Sequence, residues 1–393
     1  MIMKVNTFNK IHNMLRVQEF IKENVNWREL LSSSPYFIKI SDDNVFGRNL
    51  VLLKYDQLNS DLGNDIVQEC RGLILDSDTF DIVSYPFNKF FNYGESHAAT
   101  IDWASAYVTQ KLDGSIVKVV NMGNGNFLIS TNGCIDAFKC EVSNDYGTPF
   151  KNFGELAMEG FKFYGITEKD FPTLFADGFT YIFELTSPWN QVVVKWKETK
   201  MNLIGVRDNI TCKEIFYKDH PLAKVFNTPE IYPIKSIEDC VKAAKKLPEN
   251  NEGYVVCDKD FNRIKVKSPL YLQLHYMAGN QVWSPSRVMD IIRANEVSEY
   301  LAYFPKFKVA FDELNAKYLD LIRRVGGIKV EIDNLRSSGK ITTKKELASW
   351  VFSDNDRKSF QGFIFGYFDG KHNTALEWIV GLRTQQILDL IGV

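Results

Sequence analysis

Closely spaced cysteines are the first thing this 393-residue chain lacks. Its six cysteines stand at 70, 134, 140, 212, 240 and 257, and none forms a C-x-x-C pair. No Cys/His group has zinc spacing, so a structural zinc module is excluded. Such cysteine usage reads as free thiols in an intracellular chain. The N-terminus, Met1-Ile2-Met3-Lys4-Val5-Asn6, lacks the apolar core of a signal peptide. No apolar run approaches the length that spans a bilayer, so no membrane partner is expected. Internal repeats and low-complexity tracts are absent as well. Charge of one sign is also lacking. The formal net charge is -2, so no global basic field attracts nucleic acid, and any such binding must come from a local patch.

What is present is ordinary globular composition, 45% hydrophobic and 24% charged, with ample chain to bury a core in about two or three domains. From about residue 35 to 270 the texture is strand-like. Val51-Leu52-Leu53, Gly72-Leu73-Ile74-Leu75, Thr180-Tyr181-Ile182-Phe183, Gln191-Val192-Val193-Val194 and Gly253-Tyr254-Val255-Val256 are β-rich runs between turn residues. Helices interrupt them at Phe150 to Phe163 and at Ile237 to Leu247, the latter capped by Ser236. After Pro269 the period becomes helical. Ser284-Pro285 is an N-cap and first-turn pair, and residues 306–325 form a helix that Gly326-Gly327 would terminate. Thr342-Thr343 opens another helix through Glu346, and residues 374–391 repeat the pattern. The expected fold class is therefore α+β followed by an all-helical region. The boundary falls near 275–284, giving domains 1–283 and 284–393.

The most informative stretch is Lys111-Leu112-Asp113-Gly114-Ser115, between strand-like Ala106 to Gln110 and Ile116 to Val120. The lysine sits at the mouth of a strand-turn-strand unit, and Gly114 lets a ligand approach the backbone. A lysine amine attacks phosphorus only when neutral. Its reference pKa is ~10.4, so a site using it must lower that value by burial or neighbouring positive charge. Taken alone, the stretch is equally a hairpin turn with a solvated lysine.

Downstream, Phe183-Glu184-Leu185 sets an acid between two large apolar residues, and the period of two sends Glu184 to the opposite face. There it either accepts hydrogen bonds from ribose hydroxyls or faces solvent. Glu252-Gly253 opens a strand, where the carboxylate is either a metal ligand, directly or through water, or a turn acid. Lys265 and Lys267 share one strand face with Val266 on the other. They either hold an anion between them or form a solvated edge. Upstream, Arg71 and Lys89 stand beside Phe87, Phe90 and Phe91, a combination suited to phosphate contact and base stacking.

In this order the pieces resemble the covalent nucleotidyltransferases: RNA ligases, DNA ligases and mRNA capping enzymes. Glu69-Cys70-Arg71-Gly72, Lys89-Phe90-Phe91-Asn92, the F-E-L-x-S-P-x-N run at 183–190, Glu252-Gly253-Tyr254-Val255 and the K-V-K-S-x-x-Y-x-x-L-H run at 265–275 resemble, more specifically, the RNA ligase 1 family of the T-even bacteriophages. The likeness runs from Tyr55 to His275. Beyond it only length and helical character are shared.

That resemblance implies a domain of antiparallel sheets with flanking helices, and an ATP-dependent enzyme using magnesium, with manganese as the alternative. It implies Lys111 as the nucleophile that forms lysyl-AMP. Arg71 and Lys89 would contact the ATP phosphates, and Tyr55 matches an ATP-contacting tyrosine across a short gap. Glu184 would bind the ribose, Glu252 would organise metal, and Lys265 and Lys267 would contact the α-phosphate. Tyr271 is the matching tyrosine beyond them, and Asp113 and Gly114 complete the lysine motif. Where the family has a lysine before a glycine, this chain has Thr131-Asn132-Gly133, so that contact cannot be electrostatic here. The implied partner is RNA with single-stranded ends, such as nicked tRNA anticodon loops, in the cytoplasm of an infected bacterial host, with no stable protein partner. The rivals are a DNA ligase or capping guanylyltransferase, which would continue into a small β-barrel, and a non-catalytic RNA-binding protein on the same scaffold.

Overall fold

The computed structural model describes residues 14–57, 59–142, 147–272, 284–303 and 305–393. The chain forms two compact units, Met1–Ala278 and Gly279–Val393. The expected boundary and the last matched residue, His275, fall at 273–283, outside the described residues.

The first unit is built on strands β1 (Ile38–Val45), β2 (Arg48–Tyr55), β3 (Arg71–Asp76), β4 (Ile82–Ser84), β5 (Phe91–Asn92), β6 (Tyr107–Lys111), β7 (Ser115–Gly123), β8 (Asn126–Thr131), β9 (Phe179–Thr186), β10 (Lys200–Asp208), β11 (Glu214–Ile215), β12 (Ile231–Tyr232), β13 (Gly253–Cys257) and β14 (Arg263–Lys267). They make three sheets, ordered β1-β2-β3-β4, β11-β10-β9-β7-β8 and β12-β6-β13-β14-β5. All pairs are antiparallel except β14 with β5, which is parallel. The unbroken run Leu50 to Leu53 is buried on both faces. Val51 and Leu53 pack with Val17, Ile21 and Leu31, while Leu50 and Leu52 pack with Val83, Val120 and Leu128. A continuous apolar strand is what such two-sided burial requires. One core sets Phe161, Phe171, Phe175 and Phe226 against Phe183 and Leu185 of β9.

The second unit is helical, and no strand follows β14 among the described residues. Its axis is the helix Lys308–Ser337, which packs on Pro285–Arg293, Gln361–Phe368 and Ala375–Val380. Ser284 accepts from the Arg287 amide as N-cap, and Thr343 and Glu346 form a capping box on Lys344–Phe352.

Several expectations are corrected. Gly326-Gly327 do not end their helix, because Val325 before them and Ile328 and Ile332 after them are buried, and packing outweighs a cost of about 1 kcal/mol per glycine. The 374–391 pattern is two helices, Ala375–Val380 and Thr384–Leu390. Gln191 to Val194 is not a strand, since the amides of Val193 and Val194 donate to the Asp113 carboxylate instead of a ladder. The strands around Lys111 are not a hairpin: β6 and β7 belong to different sheets. The thiols are not all free either. A turn and the 3-10 helix Ala137–Lys139 bring Cys134 and Cys140 to 6.5 Å between Cα atoms, and their sulfurs are bonded. Cys70, Cys212, Cys240 and Cys257 are free.

Candidate functional site

The site begins with strand register. β13 lies between β6 and β14, and Gly253 pairs with Lys111 on one side and Lys267 on the other. Two residues further along, Val255 pairs with Thr109 and Lys265. Lys111, Lys267 and Lys265 therefore share one face, with Lys265 two residues along from the first two. Gly253 is required at the centre of this row. Its φ is +146°, and a Cβ there would lie 2.3 Å from the Val266 carbonyl oxygen. Glu252, just before it, is only 4% exposed and lies under the two lysines. Its Oε2 is 2.6 Å from Lys111 Nζ and its Oε1 is 3.5 Å from Lys267 Nζ. The lysine strand is not an edge, because β5 covers its outer side.

The turn after Lys111 carries the chain from this sheet to the next. Asp113 fixes it and is buried. Its Oδ2 accepts from the amides of Val193 (2.9 Å) and Val194 (2.7 Å), and its Oδ1 accepts from the Tyr271 hydroxyl at 2.9 Å. Trp196 Nε1 donates to the Asp113 carbonyl, and Asn190 donates to Ser115 Oγ. Gly114 packs so closely on β9 that a Cβ would lie 2.2 Å from the Leu185 carbonyl oxygen. This contact brings Glu184, opposite Ile116 in the register, beside the turn. As its alternation with buried Phe183 and Leu185 implies, Glu184 faces the cavity and not the core.

A cavity of about 690 Å³ lies between these walls. Lys111, Glu184, Lys265 and Lys267 line it, together with Lys54 and Arg71 of the β1-β2-β3-β4 sheet. Arg71 lies 5.3 Å from the Phe90 ring, and its Nη1 is buried without a partner. Gly72, at φ +88°, lets the strand pass against Asn132, whose Cα would lie 2.6 Å from a Cβ. Lys118 is wholly buried and donates to the Gly72 carbonyl at 2.5 Å.

Burial sets the charge states here. Burial raises the Glu184 carboxyl to about 8. Lys111 and Arg71 pull it down, while Glu252 and Asp113 push it further up. Burial lowers Lys118 to about 7, and Arg71 adds to the effect. The walls thus place cations around Glu252 and a Glu184 that keeps its proton, which suits neutralisation of charge on phosphorus oxygens.

Of the residues singled out from sequence, Arg71, Lys111, Gly114, Glu184, Lys265 and Lys267 share this cavity, with Glu252 directly beneath. Asp113 and Tyr271 are buried partners holding the turn. Tyr55 lines neither this cavity nor its neighbour. Lys89 Nζ lies 5.6 Å from the Tyr55 ring and 5.4 Å from Phe91, and it lines a neighbouring cavity with Asn88, His97 and Lys213. Phe90 borders both cavities. Lys54 and Lys118 were not anticipated. A lysine between Val117 and Val119 was a visible signal for the second, while Lys54 carries none, since only pairing across strands brings it to the site.

A model of the RNA ligase family matches residues 69–271, more than half of the chain. A protein of Autographa californica nuclear polyhedrosis virus, named as a bifunctional polynucleotide kinase/RNA ligase, is 28% identical over 286 residues. That match takes in 69% of this chain and only 40% of the viral protein. An RNA ligase of Rhodothermus phage RM378 is 24% identical over 367 residues, 76% of this chain and 78% of the phage protein. Among solved structures, an archaeal ATP-dependent RNA ligase aligns with a TM-score of 0.41 at 11% identity, over 72% of this chain and 77% of that one.

Proposed function

This chain belongs to the RNA ligase family, and from that premise we propose that it is an ATP-dependent RNA ligase acting through a covalent lysyl-AMP. The observation that carries the reading is one lysine, Lys111, at the joint of two sheets, with a carboxylate 2.6 Å away and Arg71, Lys265 and Lys267 around the same cavity.

Three displacements at phosphorus follow. Lys111 Nζ, once deprotonated, attacks the α-phosphorus of ATP. A P–N bond forms, and the P–O bond to pyrophosphate breaks. An oxygen of an RNA 5′-phosphate then attacks the same phosphorus, and the P–N bond breaks, returning the amine and giving an adenylated RNA end. Finally a 3′-hydroxyl attacks that 5′-phosphorus, loses its proton and releases AMP. Each step is mostly positioning and charge neutralisation. Lys265 and Lys267 neutralise the α-phosphate. Glu184, in its protonated form at neutral pH, donates to or accepts from a ribose hydroxyl. Glu252 holds Lys111 in place before attack.

Among the described residues, no group of three or more His, Cys, Asp or Glu side chains is placed to hold a metal ion. Magnesium bound by one carboxylate and the substrate phosphates needs no such group, so Glu252, directly or through water, fits it. When bound, such an ion neutralises phosphate charge and lowers the barrier to displacement. Manganese fits the same donors.

The helical unit is read as the selector of RNA, with cleaved tRNA anticodon loops in an infected bacterium as the substrate. Its lack of strands among the described residues speaks against the DNA ligase and capping rivals. The test is incubation with labelled ATP and magnesium, then with 5′-phosphorylated single-stranded RNA, nicked duplex RNA and cleaved tRNA. A covalent protein–AMP adduct and joining, best on the tRNA, is expected. Absence of the adduct overturns the ligase reading and leaves binding alone. Equal joining of all three substrates overturns the tRNA assignment.

A further inference from the structure

We propose that Lys54 is a phosphate-binding residue of this cavity, holding with Arg71 the phosphate that stands opposite the Lys111 amine. The proposal rests on the ligase reading above and names a residue that neither the sequence motifs nor the likeness to the family assigns.

The chemistry defines what such a place must do. In-line displacement puts entering and leaving groups on opposite sides of phosphorus. Pyrophosphate leaves opposite Lys111 in the first step. In the second step Lys111 is the leaving group, so the RNA 5′-phosphate enters where pyrophosphate departed. One anion subsite therefore serves both, and it must be cationic in each.

The cations of the cavity can be sorted by what already neutralises them. Lys111 and Lys267 face Glu252. Lys118 is buried on the Gly72 carbonyl, and Lys89 opens into the neighbouring cavity. Arg263 pairs with Glu214, and Lys265 stands two residues from Lys267 on the wall assigned to the α-phosphate. Of the lining cations that remain, Lys54 and Arg71 have no ion-pair partner among the described residues. They are paired in register across β2 and β3, so their side chains leave one sheet face side by side. The next residue along that row, Lys39, is already taken by Asp56 at 2.7 Å. Two like charges on neighbouring strands are unfavourable unless an anion joins them.

Lys54 also answers the departure at Thr131-Asn132-Gly133. A Cβ on Gly133 would lie 3.3 Å from Lys54 Nζ, so the ammonium sits over the glycine that follows Asn132. The positive charge missing from that strand is delivered from β2 instead. The glycine leaves the space it needs.

The experiment uses the full chain isolated as its lysyl-AMP form, with two acceptors. Inorganic pyrophosphate regenerates ATP, and 5′-phosphorylated RNA gives the adenylated end. Lys54→Ala should slow both reactions on the order of tenfold, the loss of one charge-assisted hydrogen bond. Lys54→Arg should retain both rates. Lys54→Ala with Asn132→Lys should regain them, which a merely structural role would not allow. The melting temperature of Lys54→Ala should match the parent, because the side chain is exposed. Loss with only one acceptor, no loss, or no recovery in the double variant overturns the shared subsite. A parent chain that forms no lysyl-AMP overturns the ligase reading itself, and this proposal with it.

Discussion

Charged side chains are used differently by the two units. In the helical unit the ion pairs stay at the surface: Lys308 with Asp312, Arg323 with Asp320 and Lys329 with Asp333, each three or four residues apart, and Arg324 with Asp356 and Lys344 with Asp369 between helices. The first unit has surface pairs too, such as Lys162 with Glu159 and Lys259 with Asp260, but it also has pairs that turn inward. Lys111 meets Glu252, Arg263 meets Glu214, and Arg207 meets the same Glu214 in a buried triad. Exposed pairs of the first kind contribute about 0–1 kcal/mol and are readily exchanged. Buried groups of the second kind are costly to desolvate and costly to break. Such an arrangement persists where a charge must be held in a defined place, as around a reacting phosphorus.

The strongest way to test this contrast is at its centre. Lys111→Ala should reduce covalent adenylation more than ~10³-fold while leaving the fold intact. Lys111→Arg should fail equally, because a guanidinium does not release its proton at neutral pH. Both are read by labelled adduct and by circular dichroism. Lys265→Ala and Lys267→Ala come next, each slowing adenylation on the order of 10²-fold. Wild-type rates in both would mean that the shared lysine face is only solvated charge.

The comparison can also be cut along the chain. A protein ending near residue 283 should still adenylate, since every candidate catalytic residue precedes that point, while its preference for cleaved tRNA over plain RNA falls. Folded truncated protein without adenylation would place part of the nucleotide site in the helices.

Glu184 offers a subtler test. Its carboxyl titrates at about 8 in the fold against 4.5 ordinarily. Between those values the folded chain keeps a proton that the unfolded chain releases. Its contribution to stability is therefore whole below about 4.5 and is lost as pH rises toward 8. Glu184→Gln should flatten that part of the slope in unfolding measured from pH 4 to 9. Glu69, raised by burial to about 7, leaves a residual slope in both proteins. The smallest effect is expected from Thr343→Ala, which breaks an exposed capping box. It should lower melting of the helical unit by a few degrees and leave adenylation unchanged.

Local signals were legible where local physics decides. The Ser236, Ser284 and Thr343 caps and the alternation around Glu184 could be read directly. So could the gathering of Lys111, Glu252 and Lys267, through the order of their motifs. The misreadings share one cause: a local preference was overruled by a distant partner. Asp113 captures the amides that would have made Val193 and Val194 a strand. Buried Ile328 and Ile332 carry a helix through two glycines. Lys54 reaches the site only because β2 pairs with β3. Sequence spacing reports none of these, since each depends on which strands and helices become neighbours.

The most direct test of the central claim is to locate the adduct. The protein is incubated with ATP and magnesium, digested at neutral pH to preserve a phosphoramidate, and its peptides are sequenced by mass spectrometry. The account predicts one AMP, attached to Lys111 and absent when Lys111 is replaced. AMP on any other residue, or turnover of ATP and joining of RNA with no covalent adduct, would contradict it.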